Sequence, residues 1–390
     1  MKAVDEKEKA PKMNNHKLQT IIVVGLVLLV LGISGSAFLE SRKIAPIYPG
    51  PGVTSMAKLS DYLPNLKGTA GDSDIYVLDS GVPGGTALIM GGTHSDEPSG
   101  YITGVLLVEN AMPSTGRLIV IPQVNRSGFT HNTPLEGFPS RFTIETSGGE
   151  RWFNFGGRLA NAIDQWPDPD VYLHYPSGQK LSGEETRNLN RSYPGRPDGV
   201  FIERVAYAIT TLVQEEKVDV TIDLHEAPLE YFFIDAIAAH SKGIEVAVMT
   251  SLDLSFEDID LGLESAPTNL HGFSHNEIGT YTNSMTFLME SANPTMGRLR
   301  GRTDANLVVE GKDLPQMLAS KLGRTFVKYD EEGKPLSLRV ARHLTASNEI
   351  FKVFSEMNPE KSIELSNIPS YTEVIEKGLG EYLNPPSEEQ

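Results

Sequence analysis

The most regular hydrophobic pattern lies near the N-terminus, where residues 18–39 contain no charged side chain and are almost wholly apolar. About 20 apolar residues suffice to span a bilayer as a helix, so this run predicts a transmembrane anchor. Lysines precede it in excess, which by the positive-inside rule places the N-terminus in the cytoplasm and the rest outside. The alternative is a cleaved signal peptide, since Gly35, Ser36 and Ala37 provide small residues at a cleavage site.

Further along the chain, short apolar runs alternate with segments of helical periodicity. The runs predict strands at 75–78, 86–90, 117–121, 218–224 and 285–289. The periodic segments predict helices at 101–110, 201–216, 313–329 and 338–357. Strands separated by helices predict an α/β fold, with a mixed, mainly parallel central sheet and helices on both faces.

The same pattern suggests how the chain is divided. Residues 1–17 are a cytoplasmic segment, 18–39 the anchor or signal, and 40–54 a linker rich in Pro and Gly. Residues 55–383 form one large domain, and 384–390 are a loose tail. Within the domain, 125–187 is irregular and rich in Gly, Pro and aromatic residues, which is typical of a functional loop.

Composition excludes several classes of function. The formal net charge of −17 argues against a nucleic-acid partner, because binding phosphate needs clustered Lys and Arg. The absence of Cys excludes disulfides, thiolate metal sites and a Cys nucleophile. Any metal site in this chain must therefore use His, Asp and Glu.

Metal-capable side chains follow two of the predicted strands. His94 and Glu97 come after the strand at 86–90 and a Gly-Gly turn, and His225 directly follows the strand at 218–224. Sites in α/β folds gather at the carboxyl ends of strands. Two His and one carboxylate form a zinc set with an open position for water. Taken singly, a His-x-x-Glu motif also occurs by chance, and a strand-end His can be capped by a local carboxylate.

Three further residues suit a substrate site. Asn190 and Arg191 form a pair in which the planar guanidinium matches a carboxylate. Glu290 ends the strand at 285–289, where a carboxylate can move a proton from water to a leaving nitrogen. Each of them alone also fits an ordinary surface loop or an exposed strand end.

In combination, these motifs resemble the zinc carboxypeptidase superfamily and, within it, the succinylglutamate desuccinylase/aspartoacylase family. The resemblance covers about residues 85–300. It rests on four motifs in the family's order, which are Gly91-Gly92-Thr93-His94-Ser95-Asp96-Glu97, Asn190-Arg191, Asp223-Leu224-His225 and Glu290.

The resemblance implies that His94, Glu97 and His225 hold one zinc ion. It also implies that Glu290 is the general base and then the general acid. Asn190 and Arg191 would bind a carboxylate of the substrate.

The chain departs from the family pattern at two positions. The family often has an Asp where this chain has Asn188; that Asp partners a ligand His, and an amide would orient the ring but raise its basicity less. The family's Arg for the oxyanion usually lies several residues upstream of the Asn-Arg pair, and here the best candidate is Arg187. His271 and His275 form a His-x-x-x-His motif, and the neighbouring Gly272 favours a substrate-side loop over a helix or a second metal site.

These features predict a membrane-anchored, extracytoplasmic zinc hydrolase, or a secreted one if the N-terminal segment is cleaved. Its substrate would be a small molecule or peptide with a carboxylate: an N-acyl amino acid or a peptide-like amide or ester. One alternative is a carboxypeptidase acting on peptides or cell-wall stem peptides, which the location favours. The other is a catalytically inactive, membrane-tethered binding module, for which Asn188 is the only hint.

Overall fold

A computed structural model describes residues 14–133, 136–266 and 269–386, and it divides the chain into two units between Lys43 and Ile44. In the first unit, helix α1 (Asn15–Ser41) has 27 residues. Among the described residues, it is the one helix long and apolar enough to cross a membrane, a property that a signal sequence shares. Residues 1–13 of the predicted cytoplasmic segment, and 387–390 of the predicted tail, lie outside the described residues.

The second unit is built on an eight-stranded sheet with the order β1-β2-β5-β3-β10-β13-β11-β12. The described strands are β1 (Ser55–Lys58), β2 (Asp74–Asp79), β3 (Thr86–Gly91), β4 (Met112–Thr115), β5 (Arg117–Ile121), β6 (Arg141–Thr146), β7 (Gly149–Asn154), β8 (Val171–Leu173), β9 (Lys180–Ser182), β10 (Val220–Ala227), β11 (Ala236–Ala239), β12 (Gly262–Ser265), β13 (Met285–Ala292) and β14 (Glu364–Ser366). The helices are α2 (Pro98–Asn110), α3 (Phe201–Glu215), α4 (Ile244–Ser255), α5 (Ser274–Tyr281), α6 (Ala305–Glu310), α7 (Leu314–Lys321), α8 (Leu336–Met357) and α9 (Tyr371–Lys377).

The centre of this sheet is parallel and buried on both faces. Strands β5, β3, β10 and β13 run in the same direction. Strand β2 pairs antiparallel with β1 and β5, and β11 pairs antiparallel with β13 and parallel with β12. Along β3, Ala87 and Ile89 belong to a core with helices α2 and α8, while Leu88 and Met90 belong to a second core with α3. The prediction of a mixed, mainly parallel sheet with helices on both faces is confirmed.

The parallel centre brings the candidate residues to one edge. The carboxyl ends of β3, β10 and β13 meet there, and His225 pairs with Glu290 in the register of β10 and β13. Both residues lie inside their strands, which continue to Ala227 and Ala292, beyond the predicted ends. The apolar runs stop earlier because two polar residues, His225-Glu226 in β10 and Glu290-Ser291 in β13, precede the final alanine of each strand.

Other predicted boundaries were wrong for local reasons. The helix predicted at 313–329 ends at Lys321, and Gly323 then takes a positive φ of 66°, which continues no α-helix. The irregular segment 125–187 contains two hairpins, one of β6 with β7 and one of β8 with β9. The hairpins are short, and their alternation of apolar and polar residues is hidden among aromatic and glycine residues.

A buried ion pair ties the ends of the second unit to its core. Arg151 donates to both carboxylate oxygens of Glu109, at 2.9 and 2.7 Å, and both side chains are fully buried. The same guanidinium donates to the carbonyls of Pro46 and Asn384, and Glu109 accepts from the backbone N–H of Tyr48. Residues 44–54, predicted as a linker, are therefore packed on the unit from its beginning.

We expect the Glu109→Gln substitution to lower the free energy of unfolding by roughly 3–5 kcal/mol, because it leaves the Arg151 charge buried without its counterion. Thermal unfolding of the full chain in detergent, followed by circular dichroism, measures the change. As a control, Glu373→Gln removes one partner of the exposed ion pair with Lys377 and should leave the midpoint temperature of unfolding unchanged. Equal transitions for the two variants would contradict this account.

Candidate metal centre

Three side chains converge at the carboxyl edge of the sheet. His94 Nδ1 lies 2.8 Å from Glu97 Oε1, and His225 Nδ1 lies 2.9 Å from Glu97 Oε2. The two Nδ1 atoms are 3.2 Å apart, and all three residues are at most 3% exposed. Ligands of a tetrahedral zinc ion stand about 3.3 Å from one another, so these separations are close to those of a metal site.

Local backbone geometry produces this convergence. After β3 the chain turns at Gly92, whose φ of 68° suits glycine and where a Cβ would press against the Phe129 ring. Glu97 is the residue that precedes helix α2, with Pro98 in the first turn. The backbone N–H of Glu226 donates to Glu97 Oε2 at 3.0 Å, which locks the carboxylate against strand β10.

The far side of each imidazole ring has its own partner. His94 Nε2 lies 3.0 Å from Asn188 Oδ1, an atom that only accepts, so Nε2 carries the proton. His225 Nε2 lies 2.9 Å from Asp223 Oδ2, and Asp223 also accepts from Thr93 Oγ1. Such partners orient the rings and turn both Nδ1 atoms toward Glu97, and His94 Nδ1 also lies 3.2 Å from Arg158 Nη1. Asn188 thus occupies the place beside His94 where the family resemblance puts an Asp.

These contacts produce a buried cluster of acceptors that a proton or a cation would stabilise. Burial lowers the pKa of His225, but the carboxylates of Asp223 and Glu97 outweigh it and raise that pKa well above its ordinary value. Burial similarly raises the pKa of Glu97, while His94 and His225 outweigh it and hold it well below its ordinary value. Among the described residues, these three are the one group with the arrangement of a metal site. They fit a divalent cation such as zinc, although His and carboxylate ligands do not select one metal.

Glu290 stands next to this cluster on the adjacent strand. Its Oε2 atom is buried and has no hydrogen-bond partner among the described residues. Burial raises its pKa to about 8, and the charge of Glu97 adds to this effect. A carboxyl group poised near neutral pH beside a metal site has the properties of a proton-transfer residue.

Asn190 and Arg191 line the same cavity as the three candidate ligands. Asn190 Oδ1 accepts from the N–H of Ser274 at 2.8 Å, which fixes the amide. The Arg191 guanidinium lies 4.2 Å from the centre of the Phe273 ring and donates to the carbonyl of Asn190. Both positions agree with a role in binding a substrate carboxylate.

Arg187, the predicted oxyanion residue, is not among the residues that line this cavity. Its guanidinium donates to both oxygens of Asp168, at 2.7 and 2.8 Å, and to the carbonyl of Ala160, outside the cavity. Arg158 lies in the cavity instead, with Nη1 3.1 Å from Glu97 Oε1. Because these atoms would also bind a metal, the half-exposed Arg158 side chain must withdraw toward the cavity when a cation is bound.

Arg158 reaches the site through the backbone that precedes it. Gly156 and Gly157 exchange hydrogen bonds with the backbone of Ser95, in the loop that carries His94. Side chains at either glycine would collide with Ser95 or His131. The Gly-Gly-Arg sequence at 156–158 could have indicated Arg158 as a site residue, but it was not among the predicted ones.

The cavity has a volume of about 580 Å³ and is largely apolar away from the candidate ligands. Its wall includes aromatic residues that the motifs did not indicate, among them Tyr231, Phe232 and Phe233. His275 also lines the cavity and lies on helix α5. Of the two residues in the His-x-x-x-His motif, only His271 therefore lies in a loop as predicted.

Comparisons with known proteins give matches only among solved structures. No protein-family profile and no curated protein matches the chain. A succinylglutamate desuccinylase from a Silicibacter species matches at 20% identity and a TM-score of 0.33, over 56% of this chain and 54% of that protein. An aspartoacylase family protein from Mesorhizobium loti matches at 20% identity and 0.37, over 64% and 65%. A metallo-carboxypeptidase from Burkholderia cenocepacia matches at 11% identity and 0.45, over 83% and 69%. The chain thus spans about half the length of the first of these proteins.

We predict that zinc binding is coupled to loss of a proton. Because the pKa of metal-free His225 is raised, its Nδ1 is protonated at and below neutral pH, and a cation must displace that proton. The affinity should therefore fall about tenfold for each pH unit of acidification below this pKa. Isothermal titration calorimetry in buffers of different ionisation enthalpy should show at least one proton released per zinc, because Glu290, with its pKa of about 8, can release a proton in addition to that of His225. Affinity that is flat from pH 6 to 8, with no proton release, would contradict the assignment.

Proposed function

We propose that this chain is a zinc-dependent hydrolase that cleaves the amide bond of an N-acyl amino acid or a peptide-like substrate with a free carboxylate. The observation that carries the proposal is the set of three buried acceptor atoms, on His94, Glu97 and His225, beside the unpaired carboxyl of Glu290. A structural His cluster needs no unpaired carboxyl group next to it, whereas hydrolysis needs both.

The metal would supply a Lewis acid that polarises the amide carbonyl and activates water. Glu290 takes the proton of the attacking water and delivers it to the leaving nitrogen. In the metal-free site burial holds its pKa at about 8; a cation on the neighbouring ligands favours the carboxylate and lowers this value, toward the range of a general base.

The arginines and Asn190 provide the remaining functions. Arg191, with the Asn190 amide beside it, binds the substrate carboxylate and sets the position of the scissile bond. Arg158, which contacts Glu97 in the metal-free site, would be free to stabilise the negative oxygen formed on attack if a cation took its place on Glu97. Glu226, which also lines the cavity, has its carboxylate paired with the buried Arg339.

A carboxypeptidase acting on peptides or cell-wall stem peptides would use the same residues. The cavity volume of about 580 Å³ accommodates one amino acid residue with its acyl group, or the last residues of a peptide. The inactive-module alternative loses its only hint, since Asn188 retains the hydrogen bond to His94 that orients the ring.

We further propose that helix α1 anchors the protein and that the hydrolase unit lies outside the cytoplasm. The helix is uniformly apolar over a bilayer's thickness, and lysines are in excess before it. The substrate would then be a molecule of the extracytoplasmic space.

The Glu290→Gln substitution should reduce kcat by roughly two to four orders of magnitude, because the amide cannot carry the proton. Metal content, measured by inductively coupled plasma mass spectrometry, should stay unchanged, since Glu290 is not a ligand. Glu257→Gln, at an exposed position, is the matched control and should retain full activity. Full turnover of a panel of N-acyl amino acids and peptides by the Glu290→Gln variant would refute this mechanism.

A further inference from the structure

The cavity continues from Glu290 as a recess across the neighbouring strands. In the sheet register, Leu288 of β13 pairs with Ala238 of β11, and Ala238 pairs with Glu264 of β12. Paired residues project from the same face of a sheet, and Leu288 and Glu290 share a face because they are two residues apart. Glu264 therefore projects from the face that carries Glu290, two inter-strand spacings across the sheet and two residues along it, or about 12 Å away.

Small residues keep this recess open. Ala236 pairs with Glu290 on one side and with Gly262 on the other, and Ala238 lies two residues further along β11. None of these side chains extends past Cβ, so the floor between Glu290 and Glu264 has no long side chain from β11. Leu288, Ala238 and Glu264 all line the cavity.

His275 forms a polar wall of the recess. It is 4% exposed, and neither ring nitrogen has a hydrogen-bond partner among the described residues. Buried polar groups in native proteins are almost always paired, so an unpaired ring at a cavity wall indicates a ligand that completes it. Burial lowers the pKa of His275 to about 3, so the ring is neutral and offers one donor and one acceptor.

We infer that this recess binds a basic side chain of the substrate, of the length of lysine or arginine, with Glu264 and His275 as its specificity-determining residues. The inference rests on the hydrolase activity proposed above and specifies its substrate class. Glu264 supplies a negative charge at the far end, and the neutral imidazole accepts a hydrogen bond from an ammonium or guanidinium group.

Two arginines, Arg158 and Arg191, also line the cavity, but the proposed mechanism already assigns them to the oxyanion and to the substrate carboxylate. An acidic side chain would meet Glu264 at one end and Glu290 and Glu97 at the other, with no positive group contributed by the floor. The ring of Phe273, which has a T-shaped contact with His275, adds an aromatic wall along which the methylenes of a long side chain can pack.

The test compares Nα-acetyl-lysine, Nα-acetyl-arginine, Nα-acetyl-norleucine and Nα-acetyl-glutamate with the metal-loaded full chain in detergent. Norleucine matches the length of lysine without its charge. We expect kcat/KM for the two basic substrates to exceed that for norleucine at least tenfold, with glutamate lowest. Titration calorimetry with the same four compounds on the Glu290→Gln variant measures their relative binding affinities without turnover.

Two variants assign the preference to its residues. Glu264→Gln should remove most of the difference between lysine and norleucine through KM, whereas Glu376→Gln at an exposed site should change nothing. His275→Leu should raise KM for the basic substrates, and His275→Asn, which keeps a donor and an acceptor, should restore part of the affinity.

The outcomes separate the two proposals. Hydrolysis or binding that is equal for lysine and norleucine, or favours glutamate, overturns the recess assignment and leaves the hydrolase standing. Selective binding of the basic compounds without turnover by the metal-loaded protein supports the recess assignment and counts against the hydrolase.

Discussion

The site depends on one electrostatic constraint, which is that acceptor groups on His94, Glu97 and His225 meet in a buried space. Among the described residues, one Arg158 N–H and the backbone N–H of Glu226 reach them, which leaves the acceptors in excess. Asn188 and Asp223 hold the outer nitrogens of the two rings, so that both Nδ1 lone pairs point at the Glu97 carboxylate. Acceptors this close repel one another unless a cation or a proton lies between them. The raised pKa of His225 has the same cause, because the neighbouring carboxylates stabilise a positive charge on its ring.

The fold serves this constraint by supplying rigid positions. Parallel strands β3, β10 and β13 end at one edge, and the pairing of His225 with Glu290 sets the proton-transfer residue beside the metal ligands. The fully buried cores on both faces of the sheet hold these strands in register. The less regular parts of the chain, including Arg158, Tyr231 and helix α5, then shape the cavity over that edge.

The sequence was informative where the chemistry follows local pattern. Apolar runs ending in polar residues located His94, His225 and Glu290, although the strands run further than the runs because β pairing continues through the polar ends. It was uninformative where placement depends on distant contacts. Arg187 is nearer in sequence to the Asn190-Arg191 pair, yet it is neutralised by Asp168, and Arg158 reaches the site through backbone bonds to Ser95. No local pattern distinguishes two arginines on such grounds.

The central claim concerns a metal at His94, Glu97 and His225, and anomalous X-ray scattering tests it most directly. Crystals of the zinc-loaded protein, measured on both sides of the zinc absorption edge, should show one strong peak about 2.0–2.1 Å from both Nδ1 atoms and from a Glu97 oxygen. The Arg158 guanidinium should have moved away from Glu97 toward the cavity. The absence of a peak there at saturating zinc, with Arg158 still bound to Glu97, would contradict the account.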